Sequence, residues 1–144
     1  MSAVPSPADL HVTASQLPWR AFFPGVDFKL LRTSAETGTF TLLLRTVAGA
    51  SLPRHRHLGA GEYYMVSGRM LVRGGKERGG ITAVAGDYGY EPLSVIHDST
   101  EFPEVSVLMF TNHGPIQFLD DNDNTTAILD VQQIEVMSQG PVVD

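Results

Sequence analysis

The stretch SLPRHRHLGAGEYYMVSGRM, Ser51 to Met70, decides the fold of this chain. It contains two histidines, His55 and His57, that are one residue apart. In a β-strand such residues lie on the same face, so both imidazoles can reach one metal ion inside a barrel. The alternative is a pair of solvated histidines beside Arg54 and Arg56, and the spacing alone leaves both interpretations open.

The segments on either side of this stretch have the composition of β-strands. Thr39 to Val47 (TFTLLLRTV) is rich in Thr, Val and Leu, and glycines flank it. Similar short segments follow as EYYMVSG, RMLVRGG, ITAVAG, VSVLMFTN, GPIQFLD and TTAILD. Many short strands separated by glycine-containing turns predict an all-β sandwich or barrel. Only VQQIEVMSQ, Val131 to Gln139, has a helical pattern, and Gly140 and Pro141 end it.

The composition limits the class of protein. The chain has 144 residues, of which 42% are hydrophobic, and this suits a single domain at 18–144 preceded by a flexible arm at 1–17. A net charge of -6 without a basic patch argues against nucleic-acid or anionic-membrane partners. The absence of cysteine excludes disulfides and thiolate metal sites. The N-terminus lacks the pattern of a signal peptide, so a cytoplasmic location is expected.

The histidine pair lies in a wider pattern of spacings. Gly49, His55, His57, Glu62 and Gly68 follow one another with the spacing of a known motif, and the pattern resembles the first motif of the cupin superfamily. The resemblance implies a single jelly-roll β-barrel, here with a short C-terminal helix, whose interior holds one metal ion.

A second motif follows after a short interval. Gly86, Pro92, Ser94 and His97 resemble the second cupin motif, although the family usually has Gly at the position of Ser94. Two motifs in the expected order make the resemblance specific. The remaining histidines are expected to be non-ligands; they are His11, in the N-terminal arm, and His113, before a Gly-Pro turn.

Glu62 occupies the wrong position for a metal ligand. In a usual cupin the ligating glutamate lies seven residues before the glycine that closes its strand, and here that position is Gly61. Because side chains alternate along a strand, Glu62 is expected to point outward, while Tyr63 and Met65 point inward. A β-bulge could rotate Glu62 back. The predicted metal ligands are His55, His57 and His97.

The wider sequence is similar to one branch of the superfamily. The segments GEYYMVSGRMLVRGGKERGG, YGYEPLSVIH and GPIQFLDDN resemble the acetylacetone-cleaving (β-diketone) dioxygenases and the related 2,4'-dihydroxyacetophenone dioxygenases, over about Leu31 to Leu129. The resemblance implies non-haem Fe(II) held by three histidines. It also implies an enzyme that uses O2 to cleave a carbon–carbon bond next to a carbonyl of a small-molecule ketone.

The resemblance also implies roles for residues near the metal. The family has a polar network around the metal ligands, and the matching motif positions in this chain are Tyr63, Arg73 and Glu91. A buried Glu91 would then need the Arg73 guanidinium as its partner. The substrate pocket falls on Leu52, Leu108, Phe110 and Asn112, with Phe118 nearby. Several of these positions are aromatic in the acetylacetone enzymes, so a longer diketone or an aryl ketone is expected. The alternative to these roles is core packing for Tyr63, Leu52 and Leu108. For Arg73 the alternative is that it is a charged residue on the surface.

Other functions remain open at this point. The same scaffold could carry a Zn- or Mn-dependent hydrolase or isomerase, or a non-catalytic metal-binding sensor. Zn(II) or Ni(II) can also replace Fe(II) in a purified sample, because both bind such sites more tightly. The resemblance further suggests a homo-oligomer, a dimer or a tetramer. Trp19 is expected to cap the barrel or to pack in an interface.

Overall fold

The computed structural model describes residues 9–144, so the first eight residues of the expected arm lie outside the described range. The fold is all-β with one short C-terminal helix, as predicted. In chain order the strands are β1 (Trp19–Phe23), β2 (Val26–Ser34), β3 (Thr39–Thr46), β4 (Ala50–Leu52), β5 (His55–His57), β6 (Gly61–Ser67), β7 (Arg69–Val72), β8 (Ile81–Val84), β9 (Tyr88–Glu91), β10 (Ile96–His97), β11 (Thr100–Phe102), β12 (Ser106–Asn112), β13 (Ile116–Leu119), β14 (Thr125–Leu129) and β15 (Val142–Val143).

The strands form three antiparallel sheets. The largest has seven strands in the order β15-β1-β2-β3-β12-β6-β9, and the smaller sheets run β10-β5-β13-β14 and β4-β11-β7-β8. Neighbours in these sheets are often far apart in sequence, as is typical of a jelly roll. Buried residues from all three sheets make one hydrophobic core.

The central strands of the large sheet show why this sequence forms a two-faced sheet. In β3 buried residues alternate with partly exposed ones, so Phe40, Leu42 and Leu44 face the core. The strand pairs with β12 along its whole length, where Leu108 and Phe110 face the same core. Period-2 burial of this kind requires one apolar face and one face toward solvent.

The predicted helix forms as α1, Val131–Met137. The Asp130 side chain caps it by accepting a hydrogen bond from the Gln133 backbone N–H at 2.8 Å. Val131 and Ile134 are buried against the barrel. Among residues 9–144, no helix has the length and hydropathy to cross a membrane.

Trp19 lies on the large sheet, and two cations approach its indole ring. The Lys29 ammonium is 4.6 Å from the centre of the indole ring, and the Arg45 guanidinium is 4.5 Å from it. Lys29 also donates a 2.7 Å hydrogen bond to the carbonyl oxygen of Ala14. These contacts hold the segment that precedes β1 against the sheet.

Candidate metal centre

Four buried side chains converge inside the barrel. Each offers one possible ligand atom, and these atoms lie within 4.8 Å of one another. The four residues are His55, His57, Glu91 and His97. The three histidines are those that the sequence predicts as ligands, and the structure adds the carboxylate.

Strand pairing brings these residues together although they are far apart in sequence. β5 carries His55 and His57 with both side chains inward, and β10 pairs with it so that His97 lies opposite His55. Glu91 ends β9, which pairs with β6 in the large sheet, where Glu91 lies opposite Gly61. The site therefore lies between two sheets of the barrel.

The contacts within the cluster fit a metal ion. Glu91 Oε2 lies 3.1 Å from His57 Nε2 and 2.8 Å from His97 Nδ1. The second contact is not aligned as a hydrogen bond, and within the described part of the chain His97 Nδ1 has no hydrogen-bond partner. The His57 contact is a hydrogen bond, whereas the close but unaligned His97 contact is the arrangement expected where ligands converge on one ion.

The orientation of His55 supports the same interpretation. Its Nδ1–H donates to the carbonyl oxygen of Pro53 at 2.7 Å, which leaves the Nε2 lone pair available. Metal-ligating histidines usually donate their other ring N–H in this way. Burial lowers the pKa of His55 to about 4, so the ring is neutral, as a ligand must be, at neutral pH.

Glu91 is ionised in this setting. Burial by itself raises the pKa of the carboxyl, but the adjacent His57 and His97 rings outweigh it and lower the pKa to about 2. The cluster thus combines three imidazoles and one carboxylate. Imidazole nitrogen with carboxylate oxygen suits iron, zinc, copper or nickel, so these residues fit a divalent transition metal.

Glu62 lies outside the cluster. Its side chain is 35% exposed, accepts a hydrogen bond from the Tyr88 hydroxyl, and accepts another from His113 Nε2 at 2.7 Å. The inward position of β6 is Gly61, and a Cβ there would lie 3.0 Å from His57 Cε1. The His57 ring lies beside this glycine, and among the described residues the carboxylate of the cluster comes from Glu91 on the neighbouring strand.

The expected polar network is only partly assembled. Tyr63 is buried, with its ring 6.3 Å from that of Phe110. Arg73 is exposed, and its guanidinium donates to the Ile96 carbonyl oxygen at 3.0 Å. Within residues 9–144 it forms no ion pair with Glu91, so the expected pairing was wrong. The reason is that His57 and His97 already surround the carboxylate.

A mostly apolar cavity lies next to the cluster. Its volume is about 30 Å³, room for the centres of roughly two water molecules. Three of the residues expected in the substrate pocket line it, namely Leu52, Phe110 and Asn112. Leu108 is fully buried between Leu44 and Met65 on the neighbouring strands and does not line the cavity, so its expected place was wrong. The polar residues that line the cavity are His55, His57, Glu91, Thr100 and Asn112.

Sequence reasoning missed two residues of an aromatic wall of this cavity, Phe22 and Phe23. Together with Phe118, which was expected near the pocket, they line the cavity and also an outer groove of about 420 Å³ beside α1. The rings of Phe23 and Phe118 meet edge to face, with centroids 5.1 Å apart. The Phe-Phe pair at the end of β1 was the available signal, but nothing in its local pattern connects it to the histidines.

The other two histidines lie away from the cluster. His11 is exposed, before the first strand. His113 follows β12 and binds Glu62 on the outer surface. Neither residue belongs to the cluster of described side chains, and that they do not bind the metal stays a prediction.

Known proteins resemble this chain along most of its length. Over 103 residues it is 42% identical to an acetylacetone-cleaving enzyme from Acinetobacter johnsonii, covering 72% of this chain and 67% of the relative. The crystal structure of an acetylacetone dioxygenase from Acinetobacter johnsonii matches with a TM-score of 0.88 at 33% identity, over 96% of this chain and 97% of that chain. A structure provisionally assigned as an acetylacetone dioxygenase, from Methylibium petroleiphilum PM1, matches with a TM-score of 0.87 at 34% identity, over 94% and 97% of the two chains.

The family match agrees with these likenesses. Residues 7–117 match the ChrR cupin-like domain, and this segment contains both histidine motifs and Glu91. The chain therefore belongs to the cupin superfamily, in the family of ChrR cupin-like domains.

Proposed function

We propose that this chain is a non-haem Fe(II)-dependent dioxygenase that uses O2 to cleave a carbon–carbon bond next to a carbonyl in a β-diketone or a related ketone. One observation carries the proposal: His55, His57, His97 and Glu91 converge on one buried point beside an apolar cavity. The 42% identity to an acetylacetone-cleaving enzyme supports the reaction class. The products are a carboxylic acid and a second carbonyl compound.

The three histidines are the proposed ligands, and Glu91 lies in contact with two of them. Bound Fe(II) would supply a Lewis acid for a chelating dicarbonyl and an electron donor for O2. Because an imidazole must be neutral to bind a metal, three histidine ligands and the ionised Glu91 would together carry one negative charge. A divalent ion would therefore keep a single positive charge, which favours a monoanionic ligand such as a diketone enolate.

The cavity wall limits the access of water to this site. Phe110 stacks on the His57 ring, with centroids 5.9 Å apart and the ring planes 8° from parallel. Phe118 lies 5.9 Å from the ring of His55. Water exclusion strengthens electrostatic interactions and suppresses side reactions. The outer groove behind Phe22, Phe23 and Phe118 provides room for a substrate larger than acetylacetone.

Assembly into a homo-oligomer, a dimer or a tetramer, is part of the proposal. On the outer face of the large sheet, Met109 lies opposite Tyr64, and Tyr64 lies opposite Tyr88. All three side chains are exposed, as is Tyr90 nearby. Exposed apolar patches often mark interaction surfaces. Light scattering coupled to gel filtration measures the mass of the assembly, and a monomer at working concentration would contradict this part.

The remaining parts of the proposal concern the domain boundary and the location in the cell. The cupin domain comprises residues 18–144, and the arm at 1–17 is dispensable for metal binding. The protein works in the cytoplasm. A truncated chain that begins at residue 18 should retain the metal as the full chain does. Loss of metal in the truncated chain would contradict the domain boundary.

Oxygen uptake is the test of function. The protein is stripped of metal, reloaded anaerobically with Fe(II), and mixed in an oxygen-electrode cell with acetylacetone, longer diketones or a hydroxyacetophenone. We expect uptake that needs both iron and one ketone, with acid formed in proportion, and none from His97→Ala. Turnover with Zn(II) or Mn(II) in the absence of O2 would indicate a hydrolase or isomerase instead. Tight metal binding without turnover would indicate a sensor.

A further inference from the structure

Asn112 is a buried polar side chain without a partner. It ends β12, points into the barrel and is 1% exposed. Neither its Oδ1 nor its Nδ2 has a hydrogen-bond partner within residues 9–144. Buried amides are nearly always hydrogen-bonded, because their desolvation is otherwise uncompensated. Asn112 therefore lacks a partner that the described residues do not supply.

The position of Asn112 directs this unpaired amide toward the candidate metal centre. Strand pairing places four inward positions in one row across the large sheet: Phe40, Asn112, Gly61 and Glu91. Because Gly61 has no side chain, the row has a narrow gap between Asn112 and the carboxylate in the cluster, and the rings of Phe110 and His57 border it. Asn112 also lines the cavity that His55, His57 and Glu91 line.

The surroundings indicate which chemical group is missing. Apart from Asn112 itself, the metal-cluster residues and Thr100, the residues that line the cavity are apolar. A ketone that chelates the metal through its oxygens would extend its remaining atoms along this apolar wall. An alkyl group next to Asn112 would leave the amide unpaired, whereas a hydroxyl can donate to Oδ1 or accept from Nδ2.

We infer that Asn112 is a specificity-determining residue that hydrogen-bonds a hydroxyl group of the substrate, so the preferred substrate is a hydroxyl-bearing β-diketone or aryl ketone. This inference rests on the proposed function and refines it. A site built to hydrogen-bond a substrate hydroxyl discriminates strongly against the analogue without it, because the buried polar group is then left unpaired.

A competing role for Asn112 comes from His57. The Nδ1 atom of His57 is also buried and, in the described part of the chain, without a hydrogen-bond partner. It lies 3.2 Å from the ideal Cβ position of Gly61, so it borders the same gap. A water molecule there could join the Asn112 amide to His57 Nδ1, which would make Asn112 a positioning residue for a ligand. A comparison of substrates with and without a hydroxyl separates the two roles.

The experiment compares matched substrates that differ by one hydroxyl. The pairs are pentane-2,4-dione with 1-hydroxypentane-2,4-dione, and benzoylacetone with its 3- and 4-hydroxyphenyl analogues. Wild type, Asn112→Leu and Thr111→Val are loaded with Fe(II). Thr111 is the matched control, because it is the preceding residue of the same strand, faces outward and bonds Thr41. For each protein kcat/KM is measured in air, and Kd is measured anaerobically by calorimetry.

In wild type we expect at least one hydroxylated ketone to have a kcat/KM and an affinity about tenfold or more above those of its plain partner. In Asn112→Leu, the hydroxylated ketone and its plain partner should have nearly equal kcat/KM values and nearly equal affinities. In Thr111→Val, the preference for the hydroxylated ketone should remain as in wild type. Unchanged ratios in Asn112→Leu would overturn the inference. Equal losses for both members of a pair, together with weaker metal binding, would also overturn it and assign the positioning role.

Two further measurements keep the test independent of folding and of turnover. Removing an unpaired buried amide should raise the thermal stability of the metal-free protein, so Asn112→Leu is expected to melt above wild type. If the larger side chain lowers the melting temperature instead, Asn112→Ala provides the same substrate comparison. If no ketone supports oxygen uptake, the proposed function fails, while the anaerobic Kd ratios still decide the role of Asn112.

Discussion

Replacing one of two nearby glutamates should weaken metal binding, whereas replacing the other should not affect it. Glu62 occupies the cupin-like sequence position but points outward, whereas Glu91 lies among the histidines. Changing each to glutamine preserves the size of the side chain and removes its charge. We expect Glu91→Gln to weaken metal binding and Glu62→Gln to leave it as in wild type.

The expected magnitude follows from the contacts of each residue. Glu91 is 8% exposed, and its Oε2 lies within 3.1 Å of two candidate ligand nitrogens. Loss of a charged group that contacts metal ligands typically costs 10–100-fold in metal affinity, about 1.4–2.7 kcal/mol. Glu62 contacts only Tyr88 and His113 at the surface, so its loss should fall within the error of the measurement.

A competition titration against a coloured chelator under anaerobic conditions measures these affinities, with Fe(II) and with Zn(II). His97→Ala is the positive control and should abolish metal retention. Circular dichroism of the metal-free variants verifies that each remains folded. Equal losses in Glu62→Gln and Glu91→Gln, or a larger loss in Glu62→Gln, would refute the assignment of the site to three histidines beside Glu91.

Three further predictions concern the stability of the metal-free protein. The pKa of His55 is about 4 in the folded chain and about 6.5 when unfolded, so only the unfolded chain takes up this proton between those values. The free energy of unfolding should therefore fall by about 3 kcal/mol as the pH drops from 6.5 to 4. Urea titrations at several pH values measure this fall. The His55→Gln variant should lose the pH dependence, and the control variant His113→Gln should keep it. Gly61→Ala places a Cβ 2.9 Å from Phe110 and 3.0 Å from His57, so it should lower the free energy of unfolding by about 1–3 kcal/mol. A urea midpoint equal to that of wild type would contradict this prediction. Ile134→Ala in α1 removes a fully buried side chain and should cost about 2–5 kcal/mol by the same assay, whereas Val136→Ala, 66% exposed, should cost less than about 0.5 kcal/mol.

Local patterns were sufficient for several features. The alternation of residues along β6 is enough to predict that Gly61 faces inward and Glu62 outward, and the burial of the strand follows this alternation. The prediction that His55 and His57 lie on the same face required only the two-residue period of a strand. Helix α1 began one residue after its cap, Asp130, and ended close to Gly140, because capping and glycine act over one turn. These features depend on neighbours within a few residues, so they can be derived from the chain alone.

Other features depend on strand register, which no local pattern reports. Glu91 was expected beside the ligands with Arg73 as its partner, but it contacts His57 and His97, while Arg73 is exposed and bonds Ile96. The reason is the pairing of β9 with β6, which aligns Glu91 with Gly61 and so directs its carboxylate to the histidines. A different alignment would have left the same residues apart.

The cavity shows the same division between local and long-range information. The histidines proposed to bind the metal were predicted from two short motifs, because spacing within a strand determines which side chains share a face. The places of Phe22 and Phe23 in the aromatic wall, and the unpaired amide of Asn112, became evident only from the folded chain. Burial, the absence of a hydrogen-bond partner and a shared cavity are properties of packed strands from distant parts of the sequence, so tertiary structure alone decides them.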